Sequence, residues 1–206
     1  MEAHEAHEKI HEAAHSHGDH GSDHHEKVSR NRRIAVLISV LAALLAIIEM
    51  GGKGAQNTSL AANIEAANLW SFFQAKTIRM TTMRTAADSL ETMQPGDLPP
   101  EKAAAWAKRM TDWRSAAARY DTEPDTGEGR KELAARAKQA EARRDHAMAA
   151  YHMFEYGAAA LQIGIVLASA AVVTGMVALA LAAGGLGAVG LAFGLLGWFA
   201  PTLVHL

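Results

Sequence analysis

Apolar positions in this chain fall into three long blocks and, between them, into stripes that recur every three and four residues. From Ile34 to Ile48 every residue but Ser39 is apolar, and the run continues through Glu49 and Met50 to a "GGKG" exit. The blocks Ala158 to Ala183 and Leu186 to Val204 contain no Asp, Glu, Lys or Arg. A helix needs roughly 17 to 25 apolar residues to cross a bilayer, so the pattern predicts three spanning helices. Only Gly184 and Gly185 separate the last two, which predicts an antiparallel hairpin turning at that pair. Trp198 falls near the end of the third, where an indole favours the headgroup level.

The intervening hundred or so residues read as helix with two breaks. From Thr58 to Met93, the positions Ala66, Leu69, Phe73, Lys76, Met80, Met83, Ala87 and Leu90 follow a heptad seam, with Asn57, Thr58 or Ser59 able to cap its start. "QPGDLPP" ends it, and Pro100 opens a second helix with Ala103, Trp106, Met110, Trp113, Ala117 and Tyr120 on one face. After the polar turn "DTEPDTGEG", a third stripe starts near Arg130 and runs through Leu133, Ala137, Ala140, Arg144, Ala147, Tyr151 and Phe154 into Ala158, Leu161, Ile165 and Ala168. No breaker but Gly157 interrupts it, so one helix is predicted to pass from water into lipid. The predicted fold is an all-α membrane protein with three transmembrane helices and a coiled-coil-like extramembrane stalk. Its parts are a tail at 1–29, a first span at 30–53, the stalk at 54–156 and a spanning hairpin at 157–206.

Small residues add a second pattern. Gly164, Ala168, Ala171, Gly175, Ala178 and Ala182 alternate at spacings of four and three, as do Gly187, Gly190, Gly194 and Gly197. Lipid tails are as apolar as Leu, so helices in a bilayer associate by close van der Waals contact, which small residues allow. Such stripes serve either packing within the hairpin or packing between copies, and a homo-oligomer is the expected partner state beside membrane lipid.

Composition narrows the chemistry. The 206 residues carry a formal charge of -2 and no cysteine. Basic residues in the middle region are interleaved with acids, so no field argues for nucleic acid, and disulfides, thiolate metal sites and cysteine nucleophiles are excluded. No phosphate loop, dinucleotide fingerprint or nucleophile with its base stands out, so the chain is expected not to be an enzyme.

The stretch "SLAANIEAANLWSFFQAKTIRMTTMRTAADSLE", set after one span with a "GGKGAQ" exit and before a C-terminal pair of spans, resembles an uncharacterised bacterial family of small membrane proteins, catalogued only as a domain of unknown function. Asn68, Trp70, Gln74, Ala75 and Lys76, followed by Ile78 and Arg79, carry the resemblance, which extends from about Arg32 onward. It implies a multi-pass architecture in a bacterial inner membrane and brings no catalytic residue with it. Lys76 and Arg144 occupy seam positions where apolar residues are expected and can set helix register, with Glu141, Asp145 and Glu155 as candidate partners. Asn68 and Gln74 are candidates for buried interhelical hydrogen bonds.

Three features could carry a ligand. His4, His7, His11, His15, His17, His20, His24 and His25 make up eight of the 11 histidines and stand among acids in the tail. Imidazole suits zinc, nickel or cobalt, but the polarity and glycines of the tail argue rather for a pH-sensitive or solubilising extension with no dedicated ligand. Glu49 is the one acid at the edge of a span. An oligomer would turn it into a ring of carboxylates for cations, but its place beside "GGKG" favours the headgroup region. His152 and Glu155, with Asp145 two turns earlier, have a spacing that could serve a metal in a bundle, or simply a solvated face.

Lys27, Arg30, Arg32 and Arg33 precede the first span and only Lys53 follows it closely, which puts the N terminus in the cytoplasm. Arg136, Lys138, Arg143 and Arg144 favour the opposite orientation, but long loops translocate largely regardless of charge. The expected function is a non-enzymatic inner-membrane scaffold or envelope interaction module that self-associates. The rival is an oligomeric cation channel, or a divalent-metal-handling or sensing protein that uses the histidine tail.

Overall fold

The computed structural model describes the backbone from residue 2 to residue 203 and side chains from Lys27 onward. Among the described residues the chain forms four helices and no strand: α1 Glu2–Thr92, α2 Pro100–Asp121, α3 Arg130–Thr174 and α4 Val177–Phe199. Pro100 stands in the first turn of α2 and Glu101 follows it, a placement that uses the missing N–H of proline and puts an acid at the positive helix end. The single long third helix follows the predicted stripe. Contacts divide the chain into two units, Met1–Gly54 with Ala149–Leu206, and Ala55–Met148.

In the first unit α1 and α4 each lie antiparallel to α3. Leu41, Ile48, Met153 and Leu161 are its largest fully buried side chains. They meet glycines: an added Cβ at Gly187 or Gly194 would collide with Leu41 or Ile48 of α1, and at Gly190 or Gly197 with Leu161 or Phe154 of α3. Ile34, Ala168, Ala171 and Ala183 close the core toward the turn between α3 and α4. The outward positions are apolar as well, among them Val36, Val40, Ile163, Val166, Leu181 and Leu195. Three helices, the described parts of α1, α3 and α4, are long and apolar enough to cross a membrane.

Two boundaries differ from the predicted ones. The hairpin turns at Gly175 and Met176, nine residues before Gly184 and Gly185, which both lie inside α4. Freed backbone groups decide this. Gly175 takes φ +73°, and its N–H donates to Ala171 O at 2.9 Å; this is a left-handed helix cap that glycine adopts without the Cβ clash. Thr174 Oγ1 donates to Ala170 O at 2.8 Å and accepts from the Met176 N–H at 3.3 Å. Gly184 and Gly185 have no neighbouring hydroxyl to satisfy a broken helix, and the helix continues through both. Gly175 is therefore a turn residue and not part of a packing stripe.

The second difference is that α1 does not break at "GGKG" or restart with a cap at Asn57, Thr58 or Ser59. Here the glycines are packing positions. A Cβ at Gly51 would lie 3.0 Å from the Phe154 ring and 3.2 Å from Trp198, and at Gly52 3.3 Å from Phe154 Cβ. Phe154 and Trp198 meet edge to face at 5.0 Å between centroids, so ring contacts offset the weak helix propensity of two glycines.

In the second unit α1 and α3 are antiparallel, joined by Ala66, Leu69, Leu133, Ala137 and Ala140, with Trp70 and Phe73 packed against them. The predicted seam faces inward: Lys76, Met80 and Ala87 are buried too. α2 returns along the far end of α1, where Trp106 Nε1 donates to Leu90 O at 2.9 Å and Arg114 pairs with Glu91 and Asp88.

Candidate functional site

The densest polar arrangement in the second unit centres on Lys76. Only 6 % of this residue is exposed. Its Nζ stands 3.7 Å from Glu123 and 3.6 Å from Glu128, and lies 5.3 Å from the Phe72 centroid and 5.5 Å from that of Tyr120. A buried ammonium is tolerable only with such compensation, and aromatic faces supply what the carboxylates leave undone. Both acids flank the turn at Gly127, whose φ is +68° and whose N–H donates to Glu123 O at 2.9 Å. Lys76 thus stands in the contact between α1 and the 122–129 loop, packed between Phe72 and Tyr120 as well as facing the two carboxylates.

Arg130 extends the arrangement from the start of α3. It lies 5.1 Å over the Phe73 ring, and its Nη1 donates to Asp121 Oδ1 at 2.9 Å. Trp70 meets Phe73 edge to face at 5.3 Å and donates from Nε1 to Glu141 Oε1 at 2.8 Å. Chemically the cluster is a clamp, holding two helices and a loop in one register. The expectation that Lys76 and Arg144 pair with Glu141, Asp145 or Glu155 is corrected here. Lys76 pairs with the loop acids, Glu141 accepts from Trp70, and only Arg144 with Asp145, at 2.8 Å, matches. The loop partners were visible only as "DTEPDTGEG", whose acids read as a solvated turn.

The remaining motif residues divide by face. Asn68, Gln74 and Arg79 are exposed, so the expected buried amide hydrogen bonds at Asn68 and Gln74 do not form: both project from the side of α1 turned away from α3. Their neighbours on that side include Leu60, Ile64 and Ile78, each more than half exposed.

In the first unit Glu49 is exposed, and Gln162 Nε2 donates to its Oε1 at 3.5 Å. It lies two residues before Gly51 and is exposed, away from the glycine contacts. Gly164, Gly187, Gly190, Gly194 and Gly197 all take part in packing within the chain, and all five are buried. His152 Nδ1 and Glu155 Oε2 are 3.6 Å apart, while Asp145 is engaged with Arg144. Tyr151 donates to Glu155 Oε1 at 3.2 Å; that hydrogen bond, with the carboxylate charge behind it, raises the phenol above its ordinary pKa. Among the described residues no three His, Asp or Glu side chains converge as metal ligands. His4, His7, His11, His15, His17, His20, His24 and His25 lie outside the residues whose side chains are described.

The family described as "Domain of unknown function (DUF4337)" matches residues 30–200. No curated protein and no solved structure matches the chain.

Proposed function

The chain belongs to the DUF4337 family, a domain of unknown function, and from its own residues we propose that it is a non-enzymatic, self-associating scaffold or envelope interaction module of the bacterial inner membrane. In this reading three helices cross the bilayer, the N terminus is cytoplasmic and Ala55–Met148 lies on the other side. The observation that carries it is a second heptad on α1. Leu60, Ile64, Ala67, Ser71, Gln74, Ile78, Thr81 and Thr85 alternate at spacings of four and three, opposite the seam that faces α3, and all eight are exposed. None is charged, so a second copy set against this face opposes no like charges.

Magnitude favours a weak contact. The eight positions span about 38 Å of helix, and a strip about 10 Å wide gives about 800 Å² over two copies, below a standard stable interface. Confinement of both copies in one bilayer raises their effective concentration, which compensates for the small area. Because the chain has no cysteine, single substitutions report directly. Ile64→Cys and Ile78→Cys in native membranes are expected to form disulfide-linked dimers, and Ala142→Cys on the exposed face of α3 is not. Equal yield at all three positions removes the seam from the argument. Native mass spectrometry in nanodiscs that finds only monomer removes self-association altogether.

A further inference from the structure

The end of the first unit that carries the hairpin turn holds a cleft of about 540 Å³ lined by Ser29, Arg30, Arg33, Ile34, Val177, Ala180 and Leu181. We propose that this cleft binds the phosphate group of an anionic phospholipid. The argument starts from Arg30. Its guanidinium reaches across the turn, with Nη2 3.5 Å from where a side chain at Gly175 would begin, and its Nε is buried without a hydrogen-bond partner. A buried N–H left unpaired costs about 1 to 3 kcal/mol, so an anion accepting from this guanidinium recovers an interaction that the described residues do not supply. Among the described residues no carboxylate lines the cleft, and neither Arg30 nor Arg33 has an ion-pair partner.

Three further features point to a lipid's phosphate. Arginine is the side chain best matched to it, with a planar fork of donors. The first turn of α4 begins at the cleft, and its N-cap, Met176, provides no side-chain acceptor, so free N–H groups add positive potential beside the arginines. The opposite wall is apolar and open: Val177 is 53 % exposed and Leu181 72 %. An inorganic anion has no use for that wall, whereas the glycerol and acyl carbons of a phospholipid cover it. Arg33 and Lys53 are about 30 Å apart along α1, the thickness of a bilayer's hydrocarbon layer, so that on the proposed reading, in which α1 spans a bilayer, the arginines stand at headgroup depth. Basic pockets between helices at that depth take anionic headgroups.

Native mass spectrometry of the full chain, released from nanodiscs containing phosphatidylglycerol and phosphatidylcholine, tests this. Phosphatidylglycerol is expected to be retained in preference, and Arg30→Gln with Arg33→Gln to weaken retention at least tenfold. Arg32→Gln, which removes one charge just outside the cleft lining, is expected to leave retention unchanged. Val177→Trp fills the apolar wall without touching either arginine, and is expected to reduce retention even if the double variant fails to fold. The proposal is overturned if Arg32→Gln matches the double variant, if Val177→Trp retains lipid like the wild type, or if inorganic phosphate at equal concentration displaces the lipid completely, since that identifies an ion site alone.

Discussion

Placing the hairpin turn at Gly175 makes opposite predictions for two glycines of α4. At Gly190 an added Cβ lies 2.7 Å from Leu161 Cγ and 2.8 Å from the Gly157 carbonyl oxygen. Leu161 is fully buried and the carbonyl is backbone, so neither can step aside. Restoring a normal separation of about 3.5 Å or more needs α3 and α4 to part by most of an ångström, an overpacking cost of about 1 to 3 kcal/mol. The gain in helix propensity from glycine to alanine, about 0.5 to 1 kcal/mol, leaves Gly190→Ala net destabilising. At Gly184 nothing lies within 4 Å of the new methyl, so the propensity gain stands alone. The two variants should differ by about 2 kcal/mol, which in a chain of this length is about 4 to 8 °C in Tm. Loss of helicity on heating, followed by circular dichroism in one nanodisc preparation, reads that difference. If Gly184→Ala melts as low as Gly190→Ala, the turn lies at Gly184 and Gly185 and the packing described for α4 is wrong.

Gly175→Ala should destabilise by about 1 to 2 kcal/mol, since φ +73° brings a Cβ against its own carbonyl; a neutral result in the same melt would mean that the cap is not left-handed. Lys76→Met should cost little, because an apolar chain of similar length fills the site between Phe72 and Tyr120 and the two acids retain solvent, whereas Lys76→Glu should cost about 3 to 5 kcal/mol by burying an unpaired charge. Equal loss of stability in the two variants would show that the ammonium, and not the packing, holds the loop. Trp70→Phe keeps an aromatic ring against Phe73 and removes the 2.8 Å hydrogen bond to Glu141 together with part of the indole's packing, so about 1.5 kcal/mol or more should be lost, and Glu141→Gln in the Trp70→Phe background should add almost nothing.

Much of the helical layout was legible because periodicity speaks for itself over long segments. The seam through Ala66, Leu69, Phe73, Met80 and Ala87, the proline-led start of α2 and the continuity of α3 through Gly157 all follow from spacing. The errors share one cause. Spacing alone marks Gly51, Gly52, Gly184 and Gly185 as breaks and Gly175 as packing, whereas Gly51 and Gly52 pack, Gly184 and Gly185 lie inside α4 with nothing within 4 Å of an added Cβ, and Gly175 turns the chain. Whether a glycine ends a helix depends on what can satisfy the backbone that it frees, and on which side chain approaches it. The hydroxyl of Thr174 supplies the first at Gly175; the Phe154 ring supplies the second at Gly51. Sequence alone brings neither partner into view. Lys76 was recognisable as an anomaly in an apolar seam, but its partners Glu123 and Glu128 lie across a loop whose path no periodicity encodes. Arg30 was read only as a topology signal, because its place against the turn depends on where that turn falls.

The glycine stripe bears on association by elimination. Small residues at helical spacing serve equally for folding one chain and for joining two, but a face can be used once. Gly187, Gly190, Gly194 and Gly197 are buried against Leu41, Leu161, Ile48 and Phe154 of the same chain, so self-association requires a different surface. The outward side of α1 beyond the apolar block is uncharged over seven turns and heptad-regular, yet polar at Ser71, Gln74, Thr81 and Thr85. A seam of that composition gives up affinity and keeps register. Two copies in dilute solution would gain too little from it to stay together, and two copies held in one plane, as the proposed membrane setting would hold them, would not need more. Association should then fall when the protein is diluted with lipid at constant bulk concentration, a dependence that a tight interface of conventional area would not show.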